Sequence, residues 1–195
     1  MTDRMPPIPK EQWTEAQTKA AAEFARMRGQ DVFGPFAVML RSPEVMLRAA
    51  SMGDYMRYRT SLPPALNEMI ILLTARHWTQ QFEWHIHQPM ALKAGVSPTT
   101  VAAISTGRRP DTLSADEAIV YDFSTELLRL QNISDETYAR ARERFGEPGI
   151  IDMVGVAGYY SLLSMMMNTA RTAVPRASAA VTRMPRPTST RPAVW

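Results

Sequence analysis

Residues 62–95 read LPPALNEMIILLTARHWTQQFEWHIHQPMALKAG, and the reading of this stretch decides the fold. Pro63 and Pro64 stand where a helix begins and Gly95 where one ends. Ile70, Ile71, Leu72 and Leu73 are apolar through a whole turn, which predicts a helix buried on every side. The spacing predicts one helix over about Pro64–His77 and a second over about Gln80–Ala94, with a bend near Thr79. Polar groups recur inside this apolar run. Arg76, Gln80, Glu83 and His87 stack into one stripe on a continuous helix. A bend breaks that stripe but keeps Glu83 and His87 together, because both lie on the second helix. As an i,i+4 pair they need do no more than steady a helix surface, by roughly 0.2–0.5 kcal/mol. Arg76 then simply holds Glu83 in place. Against that, a carboxylate, an amide and an imidazole in an apolar segment must find partners, because unpaired burial is costly. The pattern alone weighs the structural and catalytic roles evenly.

Outward from this centre the signals are all helical. Lys10 to Arg28 reads as a first helix stopped at Gly29, with Trp13, Ala16, Ala20 and Phe24 on one side. A loop containing Gly34, Pro35 and Phe36 follows, in which Phe36 serves equally as a pocket wall or as a core plug. A short helix covers Phe36 to Leu40. Ser42 and Pro43 start another that runs to about Arg59. Arg57 and Arg59 suit the negative end of its macrodipole, an account that needs no ligand. Beyond Gly95, Ser97 caps a short helix ending at Gly107, and Ser114 with Glu117 forms a capping box for a helix to about Gln131. Ser134 caps a helix over Tyr138 to Phe145 that stops at Gly146. The last helix starts at Pro148 and runs to about Thr169. Its methionines Met165, Met166 and Met167 point to burial in a core or against a neighbouring subunit, and Gly155 and Gly158 to close packing. The expected architecture is all-α: one domain over residues 1–175, then a Pro- and Arg-rich arm over 176–195 that is disordered or docked on a neighbouring subunit.

Composition narrows the chemistry. The chain has 195 residues, 45% hydrophobic and 21% charged, enough for one core. No run of eighteen apolar residues exists, and the first residues carry no apolar signal core, so a cytoplasmic location is expected. There is no cysteine, which excludes disulfides, thiolate metal sites and thiol mechanisms. The net charge is +3, and from Arg171 onward there are five arginines and no acid. Without interleaved aromatics or a nucleic-acid motif, neither nucleic acid nor membrane is an expected partner. His85 and His87 face different ways on a helix, so no metal site is expected.

The segments LNEMIILLTARHW, QQFEWHIH and ALKAGVSPTTVAAI resemble the core motif of the carboxymuconolactone decarboxylase family, whose relatives include thiol peroxidases of the alkyl hydroperoxidase D type. The resemblance spans roughly residues 30–175. It implies that the family's catalytic glutamate falls on Glu68 and its histidine on His87. It also implies that the two cysteines of the peroxidase branch fall on Gln80 and Glu83, the decarboxylase branch having glutamate at the second position, as here. The expected function is therefore cofactor-free acid–base chemistry on a small anionic lactone or related carbonyl compound from aromatic catabolism, in a homo-oligomer of trimeric or hexameric type. The expected catalytic residues are Glu68, Glu83 and His87, and the expected substrate-binding residues are Arg76, Gln80, Trp84 and Phe36. In this expectation His87 supplies or relays a proton, Glu83 orients the imidazole and Glu68 serves as proton donor. Arg76 binds a carboxylate or the lactone carbonyl. The alternatives are an isomerase or hydratase on another small carbonyl substrate, or a non-catalytic oligomeric binding protein.

Overall fold

The computed structural model describes residues 2–175 and 183–185. Among them every regular element is helical. After a 3₁₀ turn at Lys10–Gln12 come α1 (Glu15–Arg28), α2 (Pro35–Met39), α3 (Pro43–Tyr58), α4 (Pro64–His77), α5 (Gln81–Ala94), α6 (Pro98–Ser105), α7 (Ala115–Leu130) and α8 (Asp135–Ala170).

The chain is built around α4. Its ten consecutive residues from Leu66 to Ala75 are all buried, as the apolar turn at Ile70–Leu73 predicts. Helices α5, α7 and α8 pack around it, with α6 beside it, while α1, α2 and α3 complete the bundle on the α8 side. Two apolar clusters result. The larger joins α1, α2, α3 and α8 to one side of α4, through Phe24, Met46, Ile70, Ile71 and Met153. The smaller lies on the other side, around Met69, Leu72, Trp84 and Ile104. Each large side chain so buried contributes roughly 1.5–3 kcal/mol.

Helix ends follow the sequence signals, with instructive departures. The first helix does not begin at Lys10. The chain turns out at Trp13, and Thr14 caps Glu15–Arg28 through a capping box with Gln17. The α4–α5 bend is made by Thr79, a non-glycine residue at φ 52°, and Gln80 then caps α5 by accepting from the Phe82 N–H. The two helices expected on either side of Gly146 are both present within the span of α8 and meet at a kink there, with Gly146 at φ 66° and ψ 178°. That left-handed conformation suits a residue without a β-carbon. Although α8 is long and apolar enough for a membrane span by composition, more than half of that window is buried inside the molecule. The buried carboxylate of Asp152 on α8 accepts from Ser61 N at 2.7 Å and Ser61 Oγ at 2.8 Å, pinning α8 to the turn before α4. Met167 is buried and Met166 partly so, while Met165 is 43% exposed. A β-carbon at Gly155 would strike Met56, whereas one at Gly158 would meet nothing within 4 Å, so only Gly155 is a close-packing site.

Most of the expected 176–195 arm lies outside the described residues. Of it, Arg183–Pro185 lies against α4 and α5. Met184 is buried in the smaller cluster, its backbone bonds the Gln81 amide in both directions, and Pro185 O accepts from Arg76 at 2.6 Å.

Candidate active site

The α4–α5 bend brings Glu68 and His87 face to face. Both are buried, and His87 Nδ1 lies 2.8 Å from Glu68 Oε2. One turn before His87 on α5, Glu83 places its Oε2 3.5 Å from His87 Nε2. The imidazole thus stands between two carboxyl groups, one on each nitrogen. Tyr160 from α8 meets the ring edge-on at 5.0 Å between centroids.

A cavity of about 40 Å³, partly open to solvent, lies beside this constellation. Space of that size is on the order of one or two waters. His87 and Glu83 line it and Glu68 does not. Its other walls come from five elements: Arg28 of α1, Phe36 of α2, Gly53 and Arg57 of α3, Phe82 of α5, and Tyr159 and Tyr160 of α8. Gly53 is required there, because a β-carbon would stand 2.5 Å from Tyr159 Cζ and 2.9 Å from Arg28 Nη2.

The electrostatics follow from burial. Burial raises the Glu83 carboxyl above its usual range; the charges of His87 and Arg57 pull it back down and that of Glu68 pushes it up. Burial likewise raises the hydroxyls of Tyr159 and Tyr160, so both tyrosines are neutral donors at ordinary pH.

The geometry sets the two glutamates in different places. Glu68 sits behind His87, in short contact with Nδ1 and away from the cavity. Glu83 is at the cavity, where burial holds it toward its protonated form. Of the residues expected to bind substrate, Phe36 lines the cavity. Gln80 does not: it caps α5, and its Nε2 donates to Asn168 Oδ1 at 2.9 Å, joining α5 to α8. Trp84 is buried in the smaller cluster, on the far side of α5. Arg76 lies in a separate groove with His77, Gly107 and Arg129. The bend at Thr79 is what removes Arg76 from the stripe.

The guanidinium groups at the cavity are Arg28 and Arg57. Helix-end position accounted for Arg57 without a ligand, and nothing in the sequence marked Arg28. Tyr159 and Tyr160 carried a usable signal, two hydroxyls in an otherwise apolar or small-residue run, which buried tyrosines must satisfy.

The chain is an all-helical fold with a buried glutamate–histidine pair held across adjacent helices. The model of the Carboxymuconolactone decarboxylase family matches residues 43–119, from the start of α3 into α7, and so takes in Glu68, Glu83 and His87. The fold is similar to that of an uncharacterised peroxidase-related protein from Ralstonia eutropha JMP134, described as an alkylhydroperoxidase AhpD core (TM-score 0.70, 14% identity, 89% of this chain and 93% of that one). It is equally similar to an uncharacterised peroxidase-related protein from Silicibacter sp. TM1040 (0.71, 13%, 89% and 92%). A third likeness is to a variant of the debrominase Bmp8 in complex with 2,3,4-tribromopyrrole (0.67, 11%, 90% and 94%). At these identities the likeness shows the fold alone. No curated protein matches the chain by sequence.

Proposed function

We propose that this chain is a cofactor-free acid–base enzyme of carboxy-lyase type, which moves a proton at a carbon conjugated to a carbonyl group. Decarboxylation of a carboxymuconolactone-type lactone is the specific reaction we favour. The observation that carries the reading is the buried Glu68–His87–Glu83 constellation beside a cavity, with 2.8 Å on one imidazole nitrogen and 3.5 Å on the other. A purely structural pair has no need of a second buried carboxyl whose ionisation its surroundings oppose.

In the proposed reaction the bond from ring carbon to carboxylate breaks, carbon dioxide leaves, and the electron pair passes into the conjugated lactone as a dienolate. A proton carried by Glu83 or His87 Nε2 then adds to carbon, and solvent restores it. Glu68 holds the imidazole so that Nε2 points at the cavity. The same parts return a proton without loss of carbon dioxide in an isomerase. With no cysteine in the chain, the thiol route of peroxidase relatives is closed.

Proton NMR with carboxymuconolactone in heavy water tests this. Release of carbon dioxide with one deuterium in the product is the expected result. Deuterium exchange without carbon dioxide keeps the acid–base site and moves the function to isomerase chemistry. Neither event, with this lactone or a panel of small lactones and enones, would leave a binding protein as the better account.

A further inference from the structure

Seven buried side-chain polar atoms have no hydrogen-bonding partner among the described residues, and three of them belong to residues lining the cavity beside His87: Arg28 Nε, Arg57 Nε and Tyr159 Oη. Buried donors left unpaired are uncommon and costly. Among the described residues neither arginine forms an ion pair with a carboxylate, although other arginines do so nearer the surface, Arg48, Arg59, Arg109 and Arg144 among them. The partners these two do have carry no negative charge, and Arg28 also interacts with the Tyr159 hydroxyl. Arg28 lies 5.4 Å over the Phe36 ring, Arg57 lies 5.1 Å over the Tyr58 ring, and Arg57 Nη2 touches Met90 Sδ at 2.9 Å. Gly53 leaves room for Tyr159 and Arg28 to approach each other. The remaining walls are apolar: Phe33, Phe36, Phe82, Ile86 and Leu163.

We propose that the cavity binds the carboxylate of a small, flat organic acid whose body extends through the cavity's open side, with Arg28 and Arg57 as counter-ions and the Tyr159 hydroxyl as a third donor. The inference takes the cavity as the substrate site, as proposed above, and adds which end of the substrate goes where. Two guanidinium groups and a neutral hydroxyl supply donors and no acceptor other than the phenol oxygen, which matches a group that only accepts. The aromatic walls match an organic body, against which a hydrated inorganic anion would lose its water without compensation. The acid end then lies toward α1 and α3, and the reacting carbon toward Glu83 and His87 on α5. A carboxylate gripped by two arginines is stabilised as a ground state, which opposes its loss. The gripped carboxylate is therefore the one that stays. A decarboxylation substrate must carry a second carboxylate for the His87 end, and an isomerisation substrate needs only one.

Calorimetric titration with 2-furoate and its uncharged isostere 2-furamide tests the proposal. With one carboxylate and no reaction expected, 2-furoate reports binding independently of any deuterium result. Absence of proton chemistry would leave this binding in place, and absence of binding would leave the proton chemistry to its own test. Saturable binding of 2-furoate at least about tenfold tighter than 2-furamide is expected. It should weaken about tenfold or more in Arg28→Gln and Arg57→Gln, and severalfold in Tyr159→Phe, with part of the affinity kept in Arg57→Lys. Thermal melts establish that each variant is folded, and Tyr159→Phe carries the test if an arginine variant is not. No saturable 2-furoate binding, equal binding of acid and amide, unchanged affinity in the folded variants, or equally tight binding of inorganic phosphate would each overturn the proposal.

Discussion

Replacing Glu68 by Gln changes one charge and almost no volume. In the structure Glu68 touches only His87 among the groups of the site, through the 2.8 Å contact to Nδ1. In the proposed orienting role Glu68 accepts from Nδ1–H, which would fix the imidazole in the tautomer whose Nε2 carries a lone pair toward Glu83 and the cavity. With both partners buried, such a charge-assisted bond is worth about 1.5–3 kcal/mol. The glutamine amide of the Glu68→Gln variant still offers a carbonyl oxygen, so the fold should hold, but it neither fixes the tautomer as strongly nor stabilises an imidazolium. If most of that energy is expressed when the proton moves, the loss is about 100-fold in turnover, since about 1.4 kcal/mol is tenfold. The melting temperature should fall by only a few degrees. Two assays separate the parts of the argument. Nitrogen-15 shifts of His87 report the tautomer in the resting protein, where Nδ1 should carry the proton and the preference should weaken in Glu68→Gln. The rate of deuterium incorporation reports the chemistry. A wild-type His87 protonated on Nε2 alone would refute the orienting role, and a Glu68→Gln turnover within about threefold of wild type would refute its importance.

Three further outcomes are expected. Glu83 has its ionisation opposed by burial, so the native state holds that proton more tightly than the unfolded chain, and wild-type stability should fall as pH rises from 4.5, the ordinary carboxylate value, through the raised native one. Glu83→Gln should flatten that fall and be the more stable protein at about pH 8 while losing turnover; a melting curve against pH that is the same in both proteins would count against the buried, proton-bearing carboxyl. Gly53→Ala should push Tyr159 from its place beside Arg28 and weaken binding of 2-furoate about tenfold or more, which calorimetry reads directly; unchanged affinity would mean that the cavity tolerates displacement of Tyr159. Asp152→Ala removes the acceptor for two Ser61 donors and should lower stability by about 2 kcal/mol in denaturant titration, with no specific effect on the acid–base step in the protein that remains folded.

The architecture was legible because burial writes itself into sequence over whole turns. The run Ile70–Leu73 has no polar face, and such a helix must lie at a centre, which is where α4 is. Caps at Ser97 and Ser114 are local chemistry, and they formed as their side chains require. The site was legible only along the chain. Glu83 and His87 share a helix turn, and the family resemblance pointed to Glu68, but the division of labour between the two glutamates depends on which nitrogen each meets, and no spacing carries that. Arg76 shows the limit from the other side. Four polar residues at helical spacing align only if the helix continues, and Thr79 at φ 52° ends it. One backbone torsion carries Arg76 to a different groove, and the cationic wall of the cavity is supplied instead by Arg28 and Arg57, on helices that precede the motif. Charges recruited across packed helices leave no periodic trace. What a buried cation does leave is an unmet need for a partner, and both arginines with such an unmet donor among the described residues stand where a histidine is held between two carboxyl groups.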